Sequence, residues 1–176
     1  MSTSRKRHGR IHRRQRGITM VESMVALVVL GTGMLGIASL YVASLKAERN
    51  ALTRTTAVNL VNDMLDRIRA NGVARSAYDL SKYGADGPGD HGCVANTDDS
   101  KNCSGTELAE DDLYRWLQAL KDPKNGLPGA PTANVKVTEG ATGKSDLYEV
   151  SVQWKEAGEE KPFTYAVNTQ IVPVAP

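Results

Sequence analysis

Histidine and phenylalanine are nearly missing from this 176-residue chain: Phe163 is the single phenylalanine, and of three histidines only His91 lies beyond residue 12. His91 stands in a glycine-rich stretch with no nucleophile motif beside it, so no catalytic residue is expected. Cysteine occurs twice, at Cys93 and Cys103. With no second Cys/His pair, a zinc site is a poor rival to a disulfide there. Acid is absent before Glu22, while Arg5, Lys6, Arg7, Arg10, Arg13, Arg14 and Arg16 precede Gly17. Charge is absent from Ile18 to Leu45 apart from Glu22.

The last two absences define the N-terminal organisation. Ser23 to Leu45 is 23 uncharged residues, which at the helical rise spans roughly 34 Å, enough for a bilayer core. A secretory signal has a shorter apolar core, so this segment is read as a retained anchor. Seven bases before it, against Lys46 and Arg49 just after it, place the N-terminus in the cytoplasm and the remainder across the membrane. The same position argues against a nucleic-acid arm, and no nucleic acid is expected as a partner. Loss of residues 1–17 would leave 15 Lys+Arg against 20 Asp+Glu, moving the formal charge from +2 to −5. A carboxylate at the border of such a helix costs about 3 kcal/mol, so Glu22 calls for a compensating partner. A cut after Gly17 would supply one: the α-amino cation of Ile18, four residues away.

Beyond Lys46 the pattern turns amphipathic. Val58, Val61, Leu65 and Ile68, with Leu60 and Met64, make one apolar face, and Asp63 and Arg67 pair on the other. Asn71-Gly72 is a helix stop. One helix is therefore expected over 18–70, half apolar and half amphipathic. Residues 73–107 read as a loop holding both cysteines, and 111–121 as a short helix with Leu113, Trp116, Leu117 and Leu120 on one side. Gly126 to Pro131 reads as a rigid turn. From residue 134 to 172 the period becomes two, with Val135 and Val137, then Tyr148, Val150, Val152 and Trp154, then Phe163, Tyr165, Val167 and Thr169. Three antiparallel strands follow, needing the amphipathic half of the helix as cover. The fold class is α+β, a long N-terminal helix on a small antiparallel sheet. Trp116 and Trp154 are expected in its core.

Two motifs are set aside. Gly31, Gly33 and Gly36 match G-x-G-x-x-G but lie inside the apolar run, where small residues serve close helix packing and no cofactor is expected. Asp86, Asp90, Asp98 and Asp99 lack the alternating acids and terminal glutamate of a calcium loop, so no metal is expected. In an exported head, Cys93 and Cys103 are expected to be bonded, contributing about 2 to 3 kcal/mol in the chain-entropy view.

The basic leader, Gly17, Glu22 five residues into the chain that a cut would leave, and the apolar helix resemble the prepilin signal of type IV pilins and type II secretion pseudopilins. Asp63 to Asn71, the Trp116 helix, the Gly126-Leu127-Pro128-Gly129 turn and the Tyr148 to Trp154 strand are similar to PilV-type minor pilins. Ile18 stands where phenylalanine is usual, and Ser39 where major pilins commonly carry a kinking proline; the second departure favours a minor subunit. The resemblance implies cleavage after Gly17 and N-methylation of Ile18 by an inner-membrane prepilin peptidase. Other minor pilins, the major pilin and a tip adhesin are the implied partners, with Glu22 as the assembly residue. The implied role is priming of pilus assembly, hence motility and adhesion. A type II secretion minor pseudopilin is the alternative within this class. An uncleaved, membrane-anchored periplasmic binding domain is the alternative outside it.

Overall fold

The computed structural model describes residues 17–93, 102–141 and 144–173. The leader through Arg16, and Asp98 and Asp99 of the acidic loop, lie outside the described residues. By internal packing the chain divides into two units, residues 1–46 and 47–176.

A single helix, α1, runs Met20–Ala70 and crosses that division. It begins two residues later than the apolar pattern indicates, because Thr19 caps it: its Oγ1 accepts the N–H of Glu22 at 3.3 Å, and its carbonyl accepts Ser23 N–H at 3.2 Å. Gly31, Gly33 and Gly36, and the threonines Thr53, Thr55 and Thr56, leave the helix unbroken. Thr32, Ser39, Thr53 and Thr55 each donate their hydroxyl to a backbone carbonyl one turn back, at 2.8 to 3.0 Å. At the far end, Gly72 does not take the left-handed conformation of a glycine cap. The chain turns instead through Ala74 N–H to Asn71 O at 3.1 Å, and the positive φ falls on Arg75, at 41°.

In the second unit, the buried stripe of α1 is Ala57, Val61, Met64, Leu65 and Ile68. Val58 and Leu60 are half-buried at its margin. The stripe packs into one core with the inner face of a three-stranded antiparallel sheet, β1 (Thr132–Thr138), β2 (Asp146–Trp154) and β3 (Phe163–Ile171), in the order β1-β2-β3. Along β2, Tyr148, Val150, Val152 and Trp154 are buried, the period of two that puts alternate side chains on one face. The register aligns Val135, Val150 and Val167 in one row, and Ala133, Val152 and Tyr165 in the next.

The cover of the sheet is shared rather than left to α1. A second helix, α2, spans Gly105–Lys121 and contributes Ala109, Leu113, Trp116 and Leu120 to the same core. It starts six residues before the apolar spacing begins at residue 111, because Ser104 and Glu107 form a reciprocal capping box: Ser104 N–H donates to Glu107 Oε2 at 2.8 Å, and Glu107 N–H to Ser104 Oγ at 3.3 Å. Trp116 joins the helices by donating Nε1–H to Leu60 O at 2.8 Å.

The segment read as loop before the cysteines is likewise structured. Arg75–Tyr78 and Leu80–Lys82 form two short 3₁₀ turns, and Tyr78 is fully buried. Arg75 forks onto Asp146, with Nε at 2.8 Å from Oδ2 and Nη2 at 2.7 Å from Oδ1, at the entry to β2. That guanidinium, opposed by burial and helped by Gly140 N–H, holds the Asp146 carboxyl below the ordinary carboxylate range.

Candidate functional site

Gly17, Ile18 and Thr19 lie outside any helix and are exposed. Ile18 is 76% exposed, and a side chain added at Gly17 would meet nothing within 4 Å. Four residues after Ile18, Glu22 occupies the first turn of α1, where the helix dipole favours an acid. Its N–H is taken by Thr19, while its carboxylate has no partner among the described residues. Thr19-Met20-Val21-Glu22 has capping-box spacing. That signal was available in the sequence and marks Met20, not Ile18, as the first helical residue.

The helix that follows is long and apolar enough to cross a membrane, and its most apolar window has no buried residue. Val25, Leu27, Val28, Val29 and Leu30 are each more than half exposed. In lipid such a surface is satisfied only if the polar groups along it are, and the back-bonded hydroxyls of Thr32 and Ser39 meet that need. A Cβ at Gly31, Gly33 or Gly36 would meet nothing within 4 Å, so no contact among the described residues requires a glycine at these positions.

The cysteines form the disulfide Cys93–Cys103, whose second half-cystine directly precedes the Ser104 cap of α2. The incoming end is held by Asp111, a fully buried carboxylate on α2. Oδ1 accepts the N–H groups of His91 at 3.0 Å and Gly92 at 2.9 Å, and Oδ2 accepts Arg115 Nε at 2.7 Å. Burial pushes this carboxyl up, but Arg115 and the two backbone donors outweigh it and hold it below the ordinary range. His91 Nε2 lies 2.7 Å from Glu110 Oε2, and that hydrogen bond raises the imidazole above its ordinary value. His91 is thus a positioning group for the loop. Sequence reasoning missed Asp111, because a carboxylate on an exposed-looking helix gives no sign that a distant backbone will bury it.

Residues 12–38 match the family model of the prokaryotic N-terminal methylation motif, and residues 39–114 match the Tt1218-like family, described as type IV pilin Tt1218. These matches support a type IV pilin. The first includes Gly17, Ile18 and Glu22, and the second includes the rest of α1, both cysteines and the first part of α2. The sheet lies beyond both. No curated protein and no solved structure matches the chain. Pilins are structural proteins rather than enzymes. The methylation motif implies processing by a prepilin peptidase and assembly with other pilins, and the apolar helix behind it suggests a membrane-anchored pilin.

Proposed function

We propose that this pilin is a minor subunit of the type IV pilus, cleaved after Gly17, N-methylated on Ile18 and used to prime fibre assembly. The observation that carries the reading is the Glu22 carboxylate, without a partner among the described residues, in the first turn of an exposed apolar helix that begins just after the exposed, non-helical Gly17 and Ile18. Before assembly the leader is cytoplasmic, the apolar half of α1 sits in the inner membrane, and the head is periplasmic. Cleavage removes the seven-base leader and creates an ammonium in front of a helix N-terminus, where the dipole disfavours a cation. Glu22 of an adjacent subunit neutralises it. At about 4 Å and an effective dielectric near 20, such a pair is worth about 4 kcal/mol, comparable to the cost of placing the acid at the membrane border. A subunit out of register loses that pairing, so the charge sets axial position while the apolar face exchanges lipid for neighbouring helices.

Ser39 in place of a kinking proline supports the minor role, since α1 has no break through Met20–Ala70. The intact mass and N-terminal peptide of the protein from native membranes test the processing step. A chain beginning at N-methylated Ile18 is expected, and one retaining the residues before Gly17 would sink the proposal. Glu22→Ala is expected to insert and be cleaved normally, yet to fall at least tenfold in sheared fibres, given about 1.4 kcal/mol per tenfold. Recovery with secretion components rather than fibres would move the subunit to the secretion pseudopilus.

A further inference from the structure

The two edges of the sheet are not alike. β1 is closed: the two 3₁₀ turns pack along it, and Asp79 Oδ2 accepts the N–H of Val137 at 3.2 Å. It also carries the exposed Lys136, which discourages strand addition, whereas the proline before it, Pro131, has a counterpart in Pro162 before the third strand and does not distinguish the two edges. β3 is the other edge, and it has none of these devices. Its nine residues, Phe163 to Ile171, contain no charge and no proline. Among the described residues β3 pairs with β2 alone, and no backbone hydrogen bond from a turn or loop reaches it. Tyr165, Val167 and Ile171 pack against the core yet are only half-buried, each leaving surface that a further strand would cover, while at the start of the strand the Arg54 guanidinium lies 4.8 Å from the centroid of the Phe163 ring. At about 3.3 Å per residue this is an open edge about 30 Å long.

We infer that β3 is a docking edge that takes an extended, uncharged strand, apolar at alternate positions, from the head of a different pilin, adding a fourth strand to the sheet. This rests on the assembly reading above. A second copy of this chain is a poor occupant for two reasons. Stacked in one orientation, it would offer β1, which is closed. Paired edge to edge about a two-fold axis normal to the sheet, it would reverse the direction of residues 47–70, so the two chains would enter their heads from opposite sides, whereas subunits anchored in one membrane enter from the same side. One open and one closed edge make this head a one-sided terminator of sheet pairing.

Lys136, Glu149 and Asn168 lie in one cross-strand row, so positions 136 and 168 probe opposite edges at the same level. The full-length chain, carrying a benzophenone side chain at 168 or at 136, is irradiated in cells that make it with its companion pilins, and the joined peptides are identified by mass spectrometry. The expected result is a position-168 crosslink to a strand of another pilin's head, at least tenfold above that from position 136. Thr169→Lys, a charge on the core side of the edge, should lower that crosslink at least tenfold while the Cys93–Cys103 bond and amide protection of β2 are retained. In the unaltered chain, β3 amides should exchange at least tenfold more slowly in fibres than in detergent, a measurement that does not depend on any variant folding. Equal crosslinking from both edges, crosslinks to helices or loops, crosslinks to β3 of another copy, or unchanged β3 exchange would each overturn the inference. If the processed chain is recovered in fibres with unprotected β3, the docking edge fails and the assembly reading stands. If the chain never joins other pilins, the assembly reading fails and takes the docking edge with it.

Discussion

Tyr78 donates its hydroxyl to Asp112 Oδ2 at 2.7 Å, while Arg67 Nη1 reaches Oδ1 of the same carboxylate at 2.9 Å and Arg67 Nε holds Asp63 at 2.9 Å. Burial first, then the acid beside it, pushes the Tyr78 phenol well above its ordinary value, so it stays a donor at all working pH. Tyr78→Phe removes one donor from a nearly buried carboxylate, and a loss of about 1 to 3 kcal/mol is expected in denaturant unfolding of the full chain in detergent. The Asp63–Arg67 pair was readable from its spacing. Its continuation to Asp112 and Tyr78 was not, because the partners lie 45 and 11 residues away in sequence and meet only on folding. The loop clamp has its own pH window. Asp111 is depressed below 3.8, so its contribution is complete above that value and is lost as pH falls through the folded pKa. His91 is raised above 6.5, so its contribution is complete below that value and is lost as pH rises through the folded pKa. Amide exchange at His91 and Gly92 should therefore be slowest, after correction for the intrinsic rate, between pH 3.8 and 6.5. A corrected rate flat across pH 2 to 9 would contradict this.

At the scale of elements, periodicity located the helices and strands, and local chemistry set their ends. The spacing of Leu113, Trp116 and Leu120 marks the buried side of α2, but its first turn is polar and carries no such signal. That turn exists because Ser104 and Glu107 satisfy its free N–H groups, and because Asn71 Nδ2 donates to Gly105 O at 2.7 Å, tying the end of α1 to the start of α2. Ser104→Ala is expected to cost about 1 kcal/mol and to raise amide exchange in Thr106 to Leu108 before the rest of the helix. The other end depends on Gly126, whose added Cβ would fall 2.5 to 2.7 Å from Leu120 O and from the backbone of Asp122. No neighbour there is a side chain that can swing away. The Gly-Leu-Pro-Gly sequence announces a turn, whereas the close approach of the α2 backbone behind it is visible only in three dimensions.

For the whole molecule, the disulfide is the one covalent link between residues distant in sequence, bridging a separation of 10 in a head that already has a continuous core. Reduction is expected to lower stability by about 2 to 3 kcal/mol, read by thermal unfolding with and without reductant, while the sheet survives. The reduced loop stays tied at His91 and Gly92 through Asp111. The membrane-length apolar run, the period-two strands and the amphipathic stripe of α1 are determined by the sequence alone, because each depends on the order of polar and apolar residues along a stretch of regular backbone, and the isolated acid Glu22 is read directly from that order. Tertiary structure decided what those stretches meet. It placed Tyr78 in the core, divided the cover of the sheet between α1 and α2, buried Asp111 and Asp146 behind arginines, and closed β1 while β3, among the described residues, is paired on one side only. Those outcomes depend on contacts between residues far apart in the chain, and no local pattern of hydropathy or propensity carries that information.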